Sequence, residues 1–162
     1  MDGAPAPVPP GPGLAVRLAL VDAGALPDEQ LMGFVHDQYR QLAYQQEQVW
    51  AALAEVARRP PLHVTAPDGL TAERQLDLAA AEISAELRLS QFAAERELSY
   101  GLDLQELPRV AAALRAGELD RVKAVVLLEA LRDLAETHRK TRSRRDRSWC
   151  AVHSSMVAET FD

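Results

Sequence analysis

The stretch LPDEQLMGFVHDQYRQLAYQQEQVWAALAEVARR (26–59) decides the fold. Within it Val35, Leu42, Val49 and Val56 recur every seven residues, and Leu31, Tyr39 and Leu53 widen the row. Apolar residues at that interval share one face of an α-helix, while Gln38, Gln41, Gln45, Gln48 and Glu55 fall on the others. Pro27 suits a first helical turn, and Asp28 and Glu29 lie near the positive end of the helix dipole. Pro60 and Pro61 stop the helix, because proline lacks an amide proton and disfavours helix at the residue before it. At about 1.5 Å of rise per residue the helix spans roughly 48 Å, long for a small domain. A seven-residue apolar repeat favours supercoiling against another helix, in the same chain or in a second copy. The row therefore has two assignments: intramolecular core, or a self-association seam carried by Val35, Leu42, Val49 and Val56.

Working outward, the connection through His63, Pro67, Asp68 and Gly69 leads to Thr71, a suitable N-cap for a second long helix. Its apolar stripe runs Leu76, Ala80, Ile83, Leu87, Ala94 and Leu98. The spacing from Leu98 to Leu102 favours continuation through Gly101 to about Gln105, with Ser84, Ser90 and Ser99 inside the helix. Pro108 then opens a short helix that Gly117 ends, and Asp120 caps another running to about Thr137. Upstream, residues 4–13 (APAPVPPGPG) read as part of a disordered leader, and residues 14–21 as a short helix. The expected fold is all-α: two long antiparallel helices packed with two or three shorter ones over 14–137. A disordered leader (1–13) and a basic, poorly ordered tail (138–162) flank them.

Composition agrees. A chain of 162 residues with 48% hydrophobic content suits one domain with a real core. Alanine (28) and leucine (23) dominate, and both are strong helix formers. Arginine outnumbers lysine 16 to 2, the bias of a GC-rich coding sequence. The single cysteine, Cys150, can form neither an internal disulfide nor a multi-cysteine zinc site, so a reducing, cytoplasmic setting is the default. No basic segment precedes an apolar run at the N-terminus, and the stretch 14–26 holds Arg17 and Asp22 and is too short to cross a bilayer. No membrane association is expected.

Charge is unevenly placed. The net charge is −6, yet residues 139–147 (RKTRSRRDR) hold six basic residues and one acid. An acidic body thus carries a strongly basic tail. Phosphate binding depends on local positive charge, so any contact with DNA is assigned to Arg139, Lys140, Arg142, Arg144, Arg145 and Arg147, with Trp149 offering a stacking face.

Three stretches carry a family resemblance. The segment 26–59, with its closing arginine pair, is the first. The second is AAEISAELRLSQFAAERELSYGLDLQELP (80–108), and the third VAAALRAGELDRVKAVVLLEAL (110–131). In order and spacing from about Leu14 to Ala135, the chain resembles the actinobacterial family called domain of unknown function 222, or the 13E12 repeat family. In that family the helical region commonly precedes an HNH nuclease module, so the resemblance implies the helical accessory region of a DNA-processing protein. It supplies no catalytic residue. An HNH motif needs a central asparagine and two histidines on a ββα unit, and this sequence contains no asparagine. His36, His63, His138 and His153 are scattered. The tail after about Thr137 is read as departing from the family, and the chain is expected to be the product of a truncated or frame-shifted gene. The chain is expected not to be an enzyme and to use no cofactor.

Other sites are weaker. The segment 107–134 invites a helix-turn-helix reading with Arg121 and Lys123 as reading residues. But Val122, Val125, Val126, Leu127, Leu128 and Leu131 make its second helix apolar around much of its circumference, which suits a core. His36 and Asp37 with Glu47, or His63 with Asp68, lack the convergent three-ligand spacing a metal needs, so no metal site is assigned. Cys150 lacks a recognisable base or partner. The expected function is that of a non-catalytic helical accessory domain of HNH-endonuclease-type proteins that engages or positions DNA. The alternative is a helical interaction or self-association module without nucleic-acid binding.

Overall fold

The computed structural model describes residues 8–59, 71–134 and 137. Its elements in order are α1 (Pro12–Ala19), a 3₁₀ turn (Ala23–Ala25), α2 (Asp28–Arg58), α3 (Ala72–Leu87), α4 (Gln91–Glu106) and α5 (Pro108–Ala116). A further helix, α6, covers 121–134. No strand occurs among the described residues, so the all-α expectation holds. The chain divides into two compact units, Met1–Val125 and Val126–Asp162.

In the first unit α2 is the spine, packing against α1, α3, α4 and α5, most extensively against α4. The expected start and stop are right: Pro27 precedes the first turn, Asp28 and Glu29 lie in it, and Arg59 closes the helix in an extended conformation. The buried face is another matter. Ala43, Glu47, Trp50, Leu53, Ala54 and Ala57 are buried, together with Gln41. The seven-spaced row is left outside: Val35, Leu42, Val49 and Val56 are 36%, 61%, 48% and 36% exposed. The core assignment for that row is therefore overturned. Small alanines define the packing face, because they let neighbouring helices approach the α2 backbone closely.

The closest approach is at Gly101. A Cβ placed there would stand 2.5 Å from the Trp50 carbonyl oxygen and 3.4 Å from the Ala54 amide nitrogen. Gly101 is thus interior to α4, as the spacing predicts, and its missing side chain is what lets α4 sit on α2. Around the crossing Trp50 is fully buried and its ring lies 5.6 Å from that of Tyr100, tilted by 53°. Leu98 and Leu104 continue the buried face of α4.

The second long helix is broken. Arg88 adopts the left-handed conformation (φ 53°), and Leu89 donates its amide to the Ser84 carbonyl, closing α3. Ser90 then accepts from the Ala93 amide as the N-cap of α4. The same hydroxyl that is tolerated inside a helix is much more favourable at an N-cap, where it satisfies an otherwise orphaned amide. Ser90 is therefore a cap rather than a packing residue. The break corrects the expectation of one helix from Thr71 to Gln105, while Thr71 is the N-cap of α3 as read, accepting from the Arg74 amide.

The leader is shorter than expected. Pro12 and Gly13 already belong to α1, and the amide of Gly11 donates to Gln41 Oε1 at 2.8 Å. Gly117 closes α5 with φ 71°, where L side chains are strained, and its Cα faces Arg40 and Pro10. Residues 8–13 thus take part in the fold; residues 1–7, the connection 60–70 and the tail 138–162 lie outside the described residues. Asp120 caps α6 as read, accepting from the Lys123 amide at 2.9 Å. In the second unit Leu128 is buried, but Val126, Leu127, Leu131 and Leu134 are exposed, as is Val122 in the first. The expectation that α6 belongs wholly in a core is corrected accordingly.

Two glycines on long helices should respond oppositely to alanine. Gly101→Ala forces α4 off the Trp50 carbonyl and should lower stability by about 1–3 kcal/mol, the usual cost of overpacking. Gly33→Ala, in α2 with nothing within 4 Å, should raise it by about 1 kcal/mol through helix propensity. Denaturant unfolding of both variants checks the pair; equal effects would remove the close-approach argument.

Candidate functional site

Two surfaces come into question, and the placement of charge separates them. On the first unit most cations are held by carboxylates. Asp37 accepts from both Arg17 and Arg40, Glu55 pairs with Arg58 and Arg59, and Lys123 pairs with Asp120 at 2.8 Å. Exposed pairs of this kind contribute little to stability, but they leave less free positive charge for phosphate. The side-chain hydrogen bond from Arg59, helped by the Arg58 charge, holds the Glu55 carboxyl below its ordinary pKa. The Lys123 side chain and then its amide do the same for Asp120. That lowered value means the Asp120 cap stabilises α6 above the ordinary carboxylate range and is lost as pH falls through the folded-state pKa.

Two pairs reach inward. Glu47, buried on α2, accepts from Arg115 of α5 and from the Gln48 side chain. That hydrogen bond, followed by the Glu47 charge, raises the pKa of Arg115 above its ordinary value. Glu97 on α4 accepts the Trp50 Nε1 proton at 2.8 Å and also accepts from Arg121. The Arg121 guanidinium lies 5.8 Å from the centre of the Trp50 ring. A buried indole N–H needs an acceptor, and a carboxylate is a strong one. Arg121 and Lys123, the residues a helix-turn-helix reading would send into a groove, are thus committed to Glu97 and Asp120. Periodicity could not reveal Gln41, Glu47 or Glu97 as structural, since each looks like an ordinary solvent-facing residue until its distant partner is known.

The metal alternatives gain nothing from the geometry. Asp37 and Glu47 face arginines, and among the described residues no group of three or more His, Cys, Asp or Glu side chains converges. No helix among the described residues is long and apolar enough to cross a membrane. His63, Asp68, Cys150 and the whole run Arg139, Lys140, Arg142, Arg144, Arg145 and Arg147 lie outside the described residues.

The other surface is the outer face of α2. Leu31, Val35, Leu42, Val49 and Val56 are all exposed there, joined by Tyr39. Between them Gln38, Gln45 and Ala52 are exposed as well. Val35, Leu42, Val49 and Val56 alternate along this face with Leu31, Gln38, Gln45 and Ala52 at coiled-coil spacing, so Gln38 and Gln45, read from the sequence as lying on other faces, share this one. Leu42 stands between two hollows. One, of about 460 Å³, is shared with Ala15 and Leu18 of α1; the other, of about 530 Å³, with Arg121 and Val122 of α6.

The Trp50–Glu97 bond can be measured by itself. Glu97→Ala leaves the indole proton without an acceptor and should cost about 1–3 kcal/mol. Combined with Trp50→Phe, the loss should be clearly smaller than the sum of the two single losses. Additive losses in denaturant unfolding would show that the bond contributes nothing.

No curated protein and no solved structure matches the chain. A family does match, over residues 36–159. The match starts within α2 and runs past Thr137, so the tail that was read as leaving the family falls largely inside it. On that extent, most of the 162 residues, the chain belongs to the family described as domain of unknown function DUF222.

Proposed function

We propose that the chain is a non-catalytic helical accessory domain of HNH-endonuclease-type proteins, and that it engages or positions DNA through Arg139, Lys140, Arg142, Arg144, Arg145 and Arg147. The observation that carries this reading is the segregation of charge. The run 139–147 is strongly basic in a chain of net charge −6, whereas the arginines of the body are largely held in ion pairs. Phosphate contacts require concentrated positive charge, and the run concentrates it most. The lack of any asparagine keeps an HNH motif out of this sequence, and the reading includes no cofactor. A second reading, an interaction module without nucleic-acid contact, is favoured by the apolar row that α2 leaves exposed.

Titration of duplex DNA against salt separates the two. Six phosphate contacts give a slope of about −5 in log affinity against log salt. Replacing the six basic residues with serine should abolish most of that slope. Unchanged, salt-sensitive affinity in the replaced chain would sink the assignment to the tail, and no binding at low salt leaves the interaction module standing.

A further inference from the structure

We propose that α2 pairs antiparallel with α2 of a second copy of this chain, in a register that places Leu31 against the partner's Val56 and Val35 against the partner's Ala52. The exposed seam runs from Val35 to Val56, roughly 32 Å. A seven-residue apolar repeat left uncovered over that length calls for another long helix, since only a supercoiled helix keeps a 3.5-residue seam in contact. Among the described residues α2, with 31, is the only element that matches it; α3 and α4 have 16 each.

Charge chooses the direction. α2 opens on Asp28 and Glu29 and closes on Arg58 and Arg59, whose two charges the single Glu55 carboxylate only half offsets. A parallel pair would set like charges side by side at both ends and align the two helix dipoles. The antiparallel pair opposes the dipoles and brings Asp28, at a seam position, to the partner's Arg59. The same register keeps each seam position opposite another seam position. Each residue of the valine–leucine set then meets one of the other set, with Val49 facing the partner's Gln38 and Leu42 the partner's Gln45, as antiparallel coiled coils require. Val56, Val49 and Leu42 are matched in this way on both helices, since a two-fold axis repeats every contact. The glutamines within the seam lower its stability.

Sedimentation equilibrium of the full chain tests the pairing. The wild type should rise with concentration toward twice the mass of one chain. Leu42→Glu with Val49→Glu should stay at the mass of one chain, with its helical circular dichroism unchanged because both side chains are already exposed. For the register, in a Cys150→Ser background, oxidation should cross-link Val35→Cys/Ala52→Cys into dimers. Val35→Cys alone should not cross-link, because its two copies stand about 25 Å apart in this register. A wild-type chain that remains single at its solubility limit overturns the proposal and hands the face to another occupant. Efficient cross-linking through Val35→Cys alone overturns the antiparallel arrangement. None of these substitutions touches 139–147, so loss of the dimer and loss of DNA binding are read separately.

Discussion

The first unit depends on one close approach, that of Gly101 in α4 to the Trp50 carbonyl in α2. Because the α-carbon of a glycine carries no side chain, two backbones can meet where any other residue would hold them apart. That contact sets the depth at which Trp50 is buried, which in turn sets the need for an acceptor at its indole proton. Glu97, four residues before Gly101 and so on the same side of α4, supplies it. The same carboxylate takes Arg121 at the start of α6. One steric vacancy thus aligns a helix crossing, an aromatic core and a half-buried charge.

The faces buried in the first unit combine a few large side chains, Trp50, Leu53, Leu98, Tyr100 and Leu104, with many alanines. Ala43, Ala54, Ala57, Ala79, Ala80 and Ala94 are buried, whereas Leu31, Leu42, Val49 and Leu87 are exposed. Close packing of alanine faces gives good van der Waals contact but covers little area per helix. Val35, Leu42, Val49 and Val56 remain on the other side of α2, in a regularly spaced row rather than as scattered residues. Scattered exposed leucines need no explanation, but a row with coiled-coil spacing does.

Much of the secondary structure was legible in the sequence because its signals are local. Pro27, Pro60, Thr71, Pro108, Gly117 and Asp120 each act on the backbone beside them, and the helix limits near them were readable. The break at Arg88–Ser90 was not, because the apolar stripe passes through it in phase and Ser90 is equally acceptable within a helix. Only the left-handed Arg88 and the hydrogen bond from Ala93 distinguish cap from interior. The leader boundary failed for a similar reason: proline-rich sequence reads as disorder until Gly11 is seen to bond Gln41, thirty residues away.

By itself the sequence determined that this is a helical chain of the DUF222 family, with acidic body and basic run, since helix formation, charge and family likeness rest on residue identity and short-range order. Only the tertiary structure decided which face of α2 is the inside. A heptad row states that some helix belongs against it, without stating which. The alternative face, with alanines, Trp50 and two polar residues, looks like the poorer core until Gly101, Glu97 and Arg115 are brought to it from distant parts of the chain. Burial is a property of pairs of segments, and a single helix read alone cannot report its partner.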